Sequence, residues 1–226
     1  MLLSHAHRFI YTKTLKTAGT SVEIYFERAC LPSGTVVALD HWVDETVTEA
    51  GTIGYRGPHR EGKRWYNHMP ASEIRDLVGQ KVWNDYFKFC VVRNPYDKVV
   101  SYWWFAFNGR DEYRRRDGDF SVIRADFSRW CAEFVANALD RDKYTIDHKI
   151  AMDYFIRYES LLDGIEHVCR QTGYKFEPDR LGRYKSSART NKRPYADYYD
   201  RSSLAAVEAV FGWEMELFGY SAPSVA

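Results

Sequence analysis

The chain has 226 residues, 32 Lys and Arg against 31 Asp and Glu, and 45% hydrophobic content. That size suits one α/β domain, residues 1–226, with a core of its own. A net charge of +1 gives no global attraction to nucleic acid or a membrane surface, so any anion must be gripped by local basic groups. No apolar run approaches the about 18–20 residues of a membrane span, and no signal peptide precedes the first strand; the expectation is a soluble, cytoplasmic protein.

Cys30, Cys90, Cys131 and Cys169 are far apart, with no CxxC or Cys/His ligand spacing, so no structural metal is expected. Cys90 and Cys169 lie in apolar runs and read as buried thiols, and all four are expected reduced, in a reducing compartment.

In chain order, Phe9-Ile10-Tyr11 reads as a short buried strand. A polar loop follows, Lys13-Thr14-Leu15-Lys16-Thr17-Ala18-Gly19, and then a helix start, with Thr20 and Glu23 at capping-box spacing. Strand, loop of small residues and helix N-terminus together make an anion site, because the unpaired N–H groups of the first turn and the helix dipole favour negative charge. Ala18 and Gly19 let the backbone approach the anion, Lys16 adds a full charge, and Thr17, Thr20 and Ser21 add hydroxyl donors. The loop is not the GxxxxGK[ST] nucleotide loop: it has one glycine, and the lysine precedes it.

Thr35–Leu39 is β-branched and reads as a second strand. Residues 40–67 are polar and glycine-rich and read as a long irregular loop of the kind that serves as a lid or binding segment. Its His41, Arg56, His59, Arg60, Lys63 and Arg64 suit either an anionic acceptor or plain solvation. A short helix over Ala71–Val78 stops at Gly79, and a helical turn is expected over Trp83–Tyr86. Phe87–Val92 is an apolar strand suited to the interior of a parallel sheet. Asn94 is a good N-cap for the next helix, with Pro95 at its first position and Asp97 in its first turn. Its stripe Val99, Val100, Trp103, Trp104, Phe107 has helical spacing. A charged linker over 109–119 leads to a second stripe, Phe120, Ile123, Phe127, Trp130, Phe134, read as core. A strand over Tyr154–Tyr158, a helix over Leu161–Thr172 closed by Gly173, a basic, tyrosine-rich loop over 177–200 and a final helix over Ser202–Phe218 complete the chain. Strands alternating with helices argue for a central parallel sheet flanked by helices, with the site at the carboxyl edge of its strands. Trp103, Trp104, Tyr195, Tyr198 and Tyr199 suit a stacking surface or the core. No heptad run or isolated apolar face stands out from which to read an oligomeric state.

Leu15-Lys16-Thr17-Ala18-Gly19-Thr20-Ser21 resembles the 5′-phosphosulfate-binding loop of sulfotransferases, which use 3′-phosphoadenosine 5′-phosphosulfate (PAPS) and release PAP. The match is closest to the carbohydrate-type and bacterial families, which read P-K-T-A/G-G-T-S; Leu15 stands here in place of the proline. The stretch from Phe89 through Arg93-Asn94-Pro95-Tyr96-Asp97 to Ser101 and Tyr102 resembles the family's 3′-phosphate motif. There an arginine at a strand end and a serine two helical turns on bind the 3′-phosphate, a role that suits the planar guanidinium of Arg93. Weaker similarity covers Arg157–Leu161 and the end of the chain.

The resemblance implies a P-loop NTPase-like three-layer fold and transfer of a sulfuryl group from PAPS to a hydroxyl of an acceptor, a sugar or glycoconjugate. Lys16, Thr17, Ala18, Gly19, Thr20, Ser21, Arg93 and Ser101 would then bind the cofactor, joined by Lys185 and Arg189 in the late basic loop, whose other reading is an ordinary basic loop. Lys16 would also be catalytic. His68, in Asn67-His68-Met69-Pro70-Ala71-Ser72-Glu73-Ile74-Arg75, matches a family segment that carries a histidine base; His59 and His41 are the weaker candidates, and in other branches a glutamate serves. A P-loop-type small-molecule kinase and a non-catalytic PAP(S)-binding module are the competing readings. The kinase reading lacks both GxxxxGK and an evident magnesium-binding aspartate after a strand.

Overall fold

A computed structural model describes residues 1–35, 42–106, 119–182 and 193–224. In chain order its strands and α-helices are β1 (Leu2–Ser4), β2 (Phe9–Tyr11), α1 (Gly19–Phe26), β3 (Thr46–Thr48), β4 (Gly51–Ile53), α2 (Ala71–Val78), α3 (Gln80–Asp85), β5 (Phe87–Val92), α4 (Pro95–Ala106), α5 (Phe120–Phe134), β6 (Thr145–Ile146), β7 (Lys149–Ile150), β8 (Tyr154–Arg157), α6 (Leu161–Thr172) and α7 (Arg201–Phe218). The chain forms two compact units, Met1–Val92 with Asp140–Tyr184, and Arg93–Leu139 with Lys185–Ala226.

The first unit holds a six-stranded sheet in the order β3-β4-β1-β2-β5-β8, flanked by helices. β2, β5 and β8 run parallel, as the alternation of strands and helices predicts. β1, β4 and β3 are antiparallel additions on the β2 side, so the sheet is mixed and not wholly parallel. β3 and β4 fall inside the stretch 40–67 that reads as irregular. Two three-residue strands have too little apolar pattern to announce themselves; what makes them strands is the pairing of β4 onto β1 and of β3 onto β4. The expected strand over Thr35–Leu39 lies, beyond Thr35, outside the described residues. β6 and β7 form an unanticipated hairpin whose two turn residues, Asp147 and His148, both have positive φ, the requirement of a tight hairpin turn.

Period two along β5 sends Phe89 and Val91 into a cluster with Phe9, Tyr11, Val22, Tyr25, Phe26, Ile156, Ile165 and Val168, all buried. Each such side chain contributes about 1.5–3 kcal/mol on full burial, and this cluster glues α1 and α6 to the sheet. Gly164 is required for the fit: a Cβ there would lie 2.5 Å from Ile156 Cγ2. On the other face of β5, Lys88 is buried and donates to the carbonyls of Trp83 and Tyr86.

The second unit packs α4, α5 and α7 around Tyr96, Val99, Trp103, Trp104, Phe127, Trp130, Tyr198, Tyr199 and Phe211. Val99, Val100, Trp103 and Trp104 of the first predicted stripe and Ile123, Phe127 and Trp130 of the second are therefore core, whereas Phe120 is partly buried, Phe134 is exposed and Phe107 lies outside the described residues. Four of the five aromatics that suited a stacking surface are core as well, and Tyr195 alone is only partly buried. Asn94 caps α4 as expected, its Oδ1 accepting from the Tyr96 N–H at 3.0 Å. α7 starts at a capping box of Asp200 with Ser203. All four cysteines are buried free thiols.

Candidate functional site

Two features carry candidate chemistry, one in each unit. In the first, the loop 12–18 leaves the carboxyl ends of β2 and β5. Thr12 N–H donates to Phe89 O at 3.0 Å, and Thr14 Oγ1 donates to Val91 O at 2.5 Å. Asp140, buried, accepts from the Leu15 N–H at 2.5 Å. The loop is thus tied down before its tip, where Leu15, Lys16 and Ala18 are partly exposed.

Lys16 and Ala18 both have φ of 58°, on either side of Thr17, whose φ is not positive. Alternation of this kind turns successive N–H groups to one side and forms an anion-binding concavity. It runs directly into the first turn of α1, whose N–H groups have no intrahelical acceptor. Ala18 itself occupies the N-cap in the left-handed conformation, without a side-chain cap.

The expected capping box of Thr20 and Glu23 does not form. Glu23 is buried and drawn instead to Lys13 Nζ at 2.5 Å, the Met1 amine at 2.9 Å and Arg56 at 3.3 Å. These cations hold its carboxyl far below the usual range against the opposing effect of burial. Arg56, read from sequence with the basic loop residues, is buried and also paired with Glu27, so it is unavailable to an acceptor.

The hydroxyls are less open than their residue types suggest. Thr17 Oγ1 sits 2.8 Å from Thr14 Oγ1 and is buried; Thr20 Oγ1 accepts from Lys13 Nζ at 3.4 Å; Ser21 is buried. The space beside Gly19 is filled by the stem of Lys13, whose Cγ and Cε would each lie 2.8 Å from an added Cβ. The glycine admits a lysine side chain as well as a close backbone.

His68 meets this loop. Its Nδ1 lies 3.1 Å from the carbonyl oxygen of Lys13. A carbonyl only accepts, so Nδ1 carries the proton and Nε2 is left with the lone pair. Burial first, then the Lys13 charge, pushes its pKa down to about 3, so the ring is neutral. Its φ of 56° is left-handed, an unusual backbone conformation held by its surroundings. His59 is exposed, and His41 lies outside the described residues.

In the second unit, Arg93 follows β5 in the chain and precedes the α4 cap. Its Nε and one terminal nitrogen both donate to Asp97 Oδ2, at 2.8 and 2.7 Å, which fixes the plane of the guanidinium. Ser101 is partly buried on α4. Lys185 and Arg189 lie outside the described residues. Sequence reading missed Lys13, Asn67 and Asp140; only spatial proximity marks them, since their spacings of 54 and 125 residues to loop partners carry no local pattern.

A protein of Archaeoglobus fulgidus, described as uncharacterized, is 32% identical to this chain over 114 residues, which cover 49% of this chain and 88% of that protein. No solved structure matches the chain. No described helix is long and apolar enough to cross a membrane. The family model described as the sulfotransferase family matches residues 1–221, nearly the whole length and both units. This chain belongs to the sulfotransferase family and is a transferase of the sulfotransfer class.

Proposed function

We propose that the whole chain is one catalytic module, P-loop-like in its first unit, that moves the sulfuryl group of PAPS to a hydroxyl of a sugar or glycoconjugate in a reducing, cytoplasmic setting. The observation that carries this is the alternating backbone of Lys16–Ala18 feeding the start of α1, within a chain matched end to end by the sulfotransferase family. In this reading the loop of Lys16, Thr17, Ala18, Gly19, Thr20 and Ser21 takes the 5′-phosphosulfate, mostly through main-chain N–H groups, and Arg93 and Ser101 take the 3′-phosphate. Lys185 and Arg189 add charge near the nucleotide.

Transfer is an in-line displacement. The acceptor oxygen forms a bond to sulfur while the bond from sulfur to the 5′-phosphate oxygen breaks. The hydroxyl proton goes to His68 Nε2, and PAP leaves with the charge of the bridging oxygen, which Lys16 neutralises. As in phosphoryl transfer, catalysis is mainly positioning and charge stabilisation, with the base adding about 10²–10⁴-fold. A histidine of pKa about 3 is a weak base in the free protein. The negative charge of a bound donor opposes the Lys13 ammonium and raises that pKa toward working pH.

The test is release of PAP from PAPS with a panel of sugar and glycoconjugate acceptors, with and without magnesium. Acceptor-dependent PAP release without added magnesium supports the reading. PAP binding with no turnover on any acceptor favours a binding module, and magnesium-dependent use of ATP favours a kinase.

A further inference from the structure

Lys13 joins the first helix of the site to the His68 segment, although it lies outside the stretch Leu15–Ser21. Its Nζ donates to Glu23 Oε2 at 2.5 Å, Asn67 Oδ1 at 3.2 Å and Thr20 Oγ1 at 3.4 Å. Its carbonyl holds His68 Nδ1 at 3.1 Å. Its stem lies in the space that Gly19 leaves open. One buried residue thus binds the segment 67–68 twice, through a side chain and a main chain, to the first turn of α1 and the start of the anion loop.

We propose that Lys13 is a positioning residue for sulfuryl transfer, locking the Asn67-His68 segment onto the anion loop with Nε2 of His68 left as the proton acceptor. The proposal rests on the reading of His68 as the base. A plain structural ion pair would need only Glu23; the further bond to Asn67 and the carbonyl contact to His68 are what a positioning role requires. His68 holds a left-handed backbone conformation, and the Lys13 bonds to its ring and to Asn67 beside it tie that segment to the loop. The charged groups that act on His68 are Lys13 on the loop, Glu23 on α1 and the Met1 amine before β1. Burial first and then Lys13 disfavour the imidazolium and Glu23 favours it, so Lys13 bears on the protonation state of the ring as well as on its place.

Lys13→Met is the informative variant: it keeps the stem beside Gly19 and drops the ammonium. Glu23 retains Arg56 and the Met1 amine, and Asn67→Ala cuts the same link from the other side with the buried ion pairs intact, where Lys13→Met folds poorly. Three readouts are taken on the full chain: kcat and the PAPS KM, the PAP dissociation constant, and the titration of the His68 ring by NMR. The expected result is a kcat at least tenfold lower in both variants, PAP affinity within threefold of the parent, and in Lys13→Met a His68 midpoint raised by one pH unit or more. A raised midpoint alone would make His68 the stronger base, so a loss of kcat beside it reports lost position. Unchanged kcat, or kcat and PAP affinity falling together, overturns the role of Lys13. His68→Ala separates the two ideas: full turnover there overturns the base assignment and this role with it, whereas impaired His68→Ala beside unimpaired Lys13→Met overturns Lys13 alone.

Discussion

Arg93 and Asp97 form a rigid pair: two nitrogens of one guanidinium, Nε and a terminal nitrogen, converge on the same carboxylate oxygen at 2.8 and 2.7 Å. Four residues apart across the first turn of α4, they fix the guanidinium plane without the aid of a ligand. Charge-assisted hydrogen bonds to a phosphate contribute about 1.5–3 kcal/mol, roughly a 10–150-fold effect. Arg93→Ala is therefore expected to weaken PAP by at least tenfold while leaving adenosine 5′-phosphosulfate, which lacks the 3′-phosphate, within threefold, both measured by calorimetric titration. Equal losses for the two ligands contradict the assignment.

Lys16 sits at the partly exposed tip of the anchored loop, so Lys16→Ala should fold normally. Removing a group that stabilises charge formed only in the transition state costs about 10²–10³ in kcat. The expected outcome is a loss of that size in steady-state turnover, with an unfolding midpoint within about 2 °C of the parent.

The low pKa of His68 links its protonation to stability. Its folded value is about 3 against an ordinary 6.5, so between these pH values the unfolded chain binds a proton that the folded chain does not. Its contribution to stability is complete above pH 6.5 and is lost as pH falls through that window toward 3. His68→Asn should show a flatter fall in denaturation midpoint between pH 6.5 and pH 4 than the parent. Parallel curves would mean that His68 titrates normally in the folded protein.

Arg56 is fully buried between Glu23 and Glu27. Burial raises the pKa of Glu27 even with Arg56 beside it, so the loss of that cation leaves a carboxyl with little reason to stay ionised. Removing one partner of a buried ion pair costs about 3–5 kcal/mol, and at about 2–4 °C per kcal/mol for a chain of this size Arg56→Met should lower the thermal midpoint by more than 6 °C. Arg56→Met/Glu27→Gln should recover a substantial part of that loss in the same scan.

What the sequence made legible was whatever is local. The six-residue run Phe87–Val92, the buried positions Val99, Trp103, Ile123 and Phe127 of the α4 and α5 stripes, the Asn94 cap and the Gly173 stop of α6 appear as read, because their determinants lie within a few residues of each other; Phe134, at the end of its stripe, is exposed instead. What stayed hidden depends on partners far along the chain. Thr20 and Glu23 have capping-box spacing, yet the helix starts with Ala18 at the N-cap, which puts Thr20 inside its first turn, and Glu23 turns to Lys13, Arg56 and the Met1 amine. β4 is a strand because Leu3 lies opposite Thr52, not because Gly51-Thr52-Ile53 favours it. Lys13 looks like one more loop lysine until Asn67 and His68 are brought against it.

The central claim is that this chain reads a nucleotide bearing a 3′-phosphate, and thermal unfolding with PAP, with AMP and ATP as controls, tests it most directly. A ligand at about 100 times its Kd stabilises by about 2.7 kcal/mol, or roughly 5–10 °C here. The account predicts a shift of that size with PAP, well above that with AMP and cut by about half or more in Arg93→Ala at the same PAP concentration. No shift with PAP, or an equal shift with ATP and magnesium, would contradict it.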